Sequence, residues 1–118
     1  MEILQQLQTY LFGDSQFLKF LGILMLADIA TGILKAIKLR RLKSATAWHG
    51  YLRKIAVFVI IIVANVLDVM LGLRGAMATM TIMFYCSTEA WSIIENCSEL
   101  GLRIPNEIIE KLSKYKED

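Results

Sequence analysis

The chain is 118 residues long, 56% hydrophobic and 20% charged, with a formal net charge of +2. That length suits one domain, and so apolar a composition excludes an ordinary small soluble domain, which exposes much of its area and needs polar surface to do so. The two cysteines, Cys86 and Cys97, form no CxxC pair and no disulfide framework, so free thiols are expected.

In chain order, segment 1–16 opens with ILQQLQTYLF over residues 3–12. This places Ile3, Leu4, Leu7 and Leu11 on one face of an amphipathic, interfacial helix. It does not read as a signal peptide, because Glu2 and several glutamines stand where a basic region belongs. Residues 17–37 form a first apolar block, with Lys19 near its start and Asp28 inside it. Residues 38–54 are a basic loop, and 55–73, IAVFVIIIVANVLDVMLGL, are a second block broken only by Asn65 and Asp68. The β-branched run from Ile55 to Val63 would suit a buried strand, but its length and the lack of turn residues favour a helix. Residues 75–99 form a third block, uncharged through Thr88 and more polar beyond it. In the tail, 100–118, Pro105 suits the first turn of a short helix carrying Glu107, Glu110, Lys111, Lys114 and Lys116.

A bilayer core of about 30 Å needs roughly 20 apolar residues in a helix. The second block meets that length, and the first and third meet it by including polar residues. The expected fold is therefore an all-α membrane protein, a single domain of about three transmembrane helices. An N-terminal amphipathic helix and a short C-terminal cytoplasmic helix flank them.

Lys35, Lys38, Arg40, Arg41, Lys43, Arg53 and Lys54 fall in one stretch without an acid. Excess Lys and Arg marks cytoplasmic loops, so these residues are expected to set topology and meet lipid headgroups. The N-terminus then lies outside and the C-terminus in the cytoplasm. Trp48 and Tyr51 suit an aromatic belt at the cytoplasmic surface.

Polar residues inside the apolar blocks are costly, about 2.5–3.5 kcal/mol for an aspartate at a helix centre, and they turn toward protein or water. Steps of three and four place Asp28, Thr31, Gly32 and Lys35 on one face of the first helix. Lys54, Asn65, Asp68 and Gly72 share a face of the second, and Thr81, Thr88, Ser92 and Glu95 a stripe of the third. The small residues permit close helix approach. Blander readings stand beside these: Asp68 in the headgroup region, Asn65 as packing glue, and Asp28 satisfied within its own chain by a backbone amide or Lys35. A protein contact for Asp28 is the expectation. His49 has no nucleophile or carboxylate at a useful spacing, and no phosphate loop, HExxH, GxSxG or Cys/His metal pattern occurs. Neither an enzyme nor a cofactor or metal site is expected, and the basic loop is better explained by lipid than by nucleic acid.

The order of features resembles a known family. Asp28-x-x-Thr31-Gly32, a basic linker with Ser44, then Gly50 and Arg53-Lys54 opening an apolar span form its first half. Glu89-x-x-Ser92-Ile93-x-Glu95-Asn96, followed by Gly101 and Ile104-Pro105, forms the second. Over about residues 20–112 this is similar to the phage holins that include holin-like toxin-secretion proteins of clostridia. The resemblance implies a protein that oligomerises in the bacterial cytoplasmic membrane and permeabilises it. An endolysin, which it need not touch, or a large toxin can then cross, and the host lyses. Asp28, Thr31, Gly32, Glu95 and Asn96 carry over as positions that matter for assembly. The expected partners are further copies of the chain and membrane lipids. Two other classes stand against this. One is a non-lytic membrane scaffold or regulator binding a partner through its basic loop and tail. The other is a transporter subunit, disfavoured by the lack of inverted repeats.

Overall fold

The computed structural model describes residues 2–40 and 44–116, and the side chains of all of these but 44–47 and 115–116. Five helices follow in order: α1 (Glu2–Phe12), α2 (Leu18–Lys38), α3 (Ser44–Leu71), α4 (Ala76–Glu99) and α5 (Asn106–Lys116). No strand occurs among the described residues, so the β-branched run lies within a helix. The stretch 44–54, expected as loop, is the first part of α3. It contains no proline, and nothing else in it stops a helix that continues into the apolar run.

α4 is the centre of the bundle. It packs against α2 and α3, and α5 packs on it, while α1 sits against α3. The core is small: Leu21 and Met25 of α2, Ile61 of α3 and Ile82 of α4 are buried together. Phe12, Phe17, Phe58 and Tyr85 pack around them. Phe12 meets Phe58 edge-on at 5.8 Å between ring centroids, which fixes the end of α1 to α3.

Outside this core the apolar surface faces away from the protein. Leu26 is 70% exposed and Val69 77%. Two helical stretches, Leu18–Lys38 and Trp48–Leu71, are long and apolar enough to span a bilayer, yet only 11% and 22% of their most apolar windows are buried. A core helix of a soluble protein would be mostly buried, and exposed apolar area on this scale needs an apolar solvent. α4 does not reach the same apolarity, because its second half carries Glu89, Ser92, Glu95, Asn96 and Glu99.

The α3–α4 hairpin is closed by one residue. The Leu73 amide donates to the Asp68 carbonyl at 2.9 Å, across Gly72 at φ +66°, a left-handed conformation that suits glycine at a helix end. The Asp68 carboxylate then accepts from the amides of Met77 and Ala78, each at 2.8 Å. These are orphan donors of the first turn of α4, where an anion is also favoured by the helix dipole. Asp68 is therefore 3% exposed and fully engaged in capping.

Replacing Asp68 by alanine removes that cap and leaves two amides unpaired, at a cost of about 1–2 kcal/mol. A lower melting temperature in detergent and faster hydrogen exchange at Met77 and Ala78 are expected. Asparagine, which keeps one acceptor oxygen, should lose less.

Candidate functional site

At mid-length, α2, α3 and α4 meet through ionic side chains. Lys54 of α3 places its Nζ 2.8 Å from Asp28 Oδ2 of α2 and 2.6 Å from Glu89 Oε1 of α4. All three side chains are largely buried, at 17%, 11% and 10% exposure. On α4 the spacing 89, 92, 96 puts three polar residues on one face. Ser92 Oγ donates to Asp28 Oδ1 at 2.7 Å, and Asn96 Nδ2 donates to the same oxygen at 3.1 Å. Asn96 also donates to Thr31 Oγ1 at 3.0 Å, while the threonine hydroxyl lies 2.8 Å from the Ala27 carbonyl of its own helix. Among the described residues no buried side-chain polar atom lacks a hydrogen-bond partner.

Geometry therefore gathers Asp28, Thr31, Ser92 and Asn96 into one network. Gly32 lies at its edge, where a Cβ would stand 3.7 Å from Asn96 Nδ2, an ordinary contact. Lys54, read from sequence as a headgroup cation, is turned inward because two carboxylates from other helices await it. Lys35 and Lys38 are likewise engaged. Lys35 pairs with Glu99 at 2.9 Å, and Lys38 Nζ donates to the Leu100 carbonyl at 3.0 Å, a cation at the C-terminal end of α4. Arg40 and Arg53 are exposed, and Arg41 and Lys43 lie outside the described residues.

The other candidates are elsewhere. Asn65, 8% exposed, donates to the carbonyls of Tyr10 and Leu11 at 2.9 and 3.0 Å and so holds the end of α1. Gly13 passes close to it, since a Cβ there would stand 3.0 Å from Asn65 Oδ1. Asp68 and Gly72 belong to the hairpin. Thr81 and Thr88 bond back to the carbonyls of Met77 and Phe84 within α4. Glu95 is exposed. Glu89 was absent from the stripe read off α4, which stepped through Thr88 and Ser92. Its positions three before Ser92 and seven before Asn96 were the available signal.

A cleft of about 600 Å³ opens between α3 and α4 onto this cluster, with Asp28, Lys54, Glu89 and Ser92 facing it and Arg53 and Glu95 also lining it. Among the described residues no group of three His, Cys, Asp or Glu side chains is placed to hold a metal ion.

Sequence comparison decides the family. The profile of the bacteriophage holin family matches residues 6–117, nearly the whole chain. The chain belongs to the bacteriophage holin family. A probable holin of Bacillus phage phi105 is 39% identical over 99% of this chain and 87% of its own length. The uncharacterised Bacillus subtilis protein YqxH is 38% identical over 99% of this chain and 84% of its own length. An uncharacterised 14.9 kDa Clostridium perfringens protein from the nagH 3′ region is 33% identical over 90% and 82%. No solved structure matches. Holins are non-enzymatic membrane proteins, in keeping with two apolar helices whose outer faces are uncovered.

Lys54→Met leaves two carboxylates facing each other without a cation, and removing one partner of a buried ion pair costs about 3–5 kcal/mol. A steep fall in thermal stability in detergent is expected. The triple variant Asp28→Asn, Lys54→Met, Glu89→Gln, which removes all three charges, should recover much of the loss.

Proposed function

We propose that this holin permeabilises the bacterial cytoplasmic membrane by self-association, opening it to an endolysin or a large toxin. The observation that carries the reading is the likeness to a probable holin across 99% of the chain. The fold supports it with a bundle that is apolar outside and ionic inside. Such a protein partitions into a bilayer through the apolar outer faces of α2 and α3, and its remaining polar surface is free to meet other copies or water.

In this reading α4 is a third span. Its polar half is unlike a lone membrane helix, but Glu89, Ser92 and Asn96 are engaged by Asp28 and Lys54 of the two apolar helices. A helix wedged between two spans and capped at the α3–α4 turn follows them across the membrane. Its polar groups are shielded there as intramembrane ionisable groups generally are. The N-terminus then lies outside, with α1 on the outer side, and α5 is cytoplasmic. Among the described residues, the exposed cations Arg40 and Arg53 lie toward the cytoplasmic face, consistent with the charge rule for short loops.

Induced expression in a bacterium is expected to halt growth abruptly, collapse the membrane potential and release a co-expressed endolysin. An intact potential at high membrane abundance would refute the proposal. Orientation is checked separately with single cysteines in a Cys86→Ala, Cys97→Ala background. A membrane-impermeant maleimide should label Gln5→Cys in intact cells and Glu107→Cys only after the cells are opened.

A further inference from the structure

The α3–α4 cleft has one side that no described helix covers. Lys54 and Glu89 face it, and Arg53 and Glu95 line its walls, both exposed and neither ion-paired to another described residue. In a bilayer such a cleft, about 600 Å³ in volume, would leave Lys54 and Glu89 facing hydrocarbon on its open side, which is costly for each of these ionic groups. By contrast, the outer faces of α2 and α3, with Ile23, Leu26, Val59 and Val63 exposed, suit lipid as they stand.

We infer that this cleft is a homotypic interface, closed by the same cleft of a second copy through reciprocal Arg53–Glu95 ion pairs. The inference rests on the self-association proposed above and names the surface responsible. Two constraints select this occupant. First, copies inserted with the same topology meet at equal depth, so only residues at similar levels can pair. Arg53 adjoins Lys54, which bonds Glu89, and Glu95 lies six residues, ~9 Å along the axis, beyond Glu89. An extended arginine and glutamate span that offset together. Second, a two-fold contact is self-complementary, with residue i meeting j and j meeting i. A cation and an anion on opposite walls of one cleft satisfy this twice in a single contact. The apolar residues Val57 and Ile60 on the α3 wall then pack against the second copy, while the Asp28–Lys54–Glu89 cluster stays intact behind them.

The experiment is association of the full chain in detergent micelles and in liposomes, by sedimentation equilibrium and by energy transfer between labelled copies. Wild type should associate. Arg53→Glu places acid against acid across the interface, and Glu95→Arg places base against base, so each variant alone should lose affinity by about an order of magnitude or more. Mixing the two single variants should restore it, because each copy then supplies what the other needs. Restoration in the mixture cannot come from a contact within one chain. Circular dichroism and thermal melting check that each variant is folded, as expected for exposed side chains that are not ion-paired to another described residue.

Wild-type association that neither reversal weakens would overturn the inference, since the cleft would then face water or lipid while another surface joins the copies. Reversals that weaken association without recovery on mixing would overturn it too, by removing the reciprocal pairing. A wild type that stays monomeric at every concentration would instead strike the self-association reading itself, so the two failures are distinguishable. A cross-link check is independent. Thr88→Cys, on the cleft, should form a disulfide-linked dimer in the background lacking Cys86 and Cys97, and Val69→Cys, on the apolar outer face, should not.

Discussion

The ammonium group of Lys54 on α3 bonds a carboxylate on α2 and another on α4, and so ties three helices at one point. α2 and α3 each pack on α4 far more than on each other, and the apolar core comprises only a few side chains. In a bilayer, apolar contact supplies weak preference for one helix arrangement over another, because lipid tails are as apolar as leucine. A cation bonded to a carboxylate on each of two neighbours supplies that preference. It fixes rotation, since all three groups must face inward, and it fixes depth, since Asp28, Lys54 and Glu89 must meet at one level. The cluster is stable through completeness: Ser92 and Asn96 occupy the remaining acceptor positions of Asp28, so little is left wanting water.

Polar residues nearer the α3–α4 hairpin do a different kind of work. Asn65 and Asp68 satisfy backbone groups, one at the end of α1 and the other at the start of α4. Both are buried in the helix bundle, and both satisfy what a helix terminus leaves open, which in an apolar medium has no water to turn to. The molecule thus uses one set of polar side chains to tie helices laterally and another to close their ends. The two sets meet on α3, where the apolar turns around Ile61 separate Lys54 from Asn65 and Asp68.

Much of the architecture is legible in the residues. The apolar blocks, the amphipathic start, the tight link between the second and third blocks and the short helix after Pro105 follow from periodicity and from local turn chemistry. Gly72, read as a packing residue of the second block, is instead part of the turn itself. The start of α3 is less legible, because the cations of 35–54 read as one continuous loop. Charge counting along a chain cannot separate Arg53, which faces outward, from Lys54, its neighbour, which faces two carboxylates on other helices. The same limit hides the partner of Asp28. Helical spacing offers Lys35 two turns away, yet Lys35 pairs with Glu99, and the cation that reaches Asp28 comes from a residue 26 positions later. Glu89 was visible in the family pattern, but its role depends on how α4 is rotated, and that is set by contacts distant in sequence.

These contacts constrain how a pore could form. A holin monomer must persist in the membrane without leaking and later present polar surface to water. Dissolving the cluster would expose polar groups, but it first leaves Lys54 and its two carboxylates unpaired in an apolar surrounding, which is strongly unfavourable. New contacts between copies would have to supply that difference before any water entered. Polar groups already directed outward from α3 and α4, Arg53, Thr88 and Glu95, carry no such penalty. A lesion built from intact protomers, with these groups meeting across copies or facing water, keeps the lateral lock closed and changes only what the open side of the bundle touches. In the self-association proposed above, the assembly step would act at the rim of the cleft, with the cluster behind it as the frame that holds the rim in place.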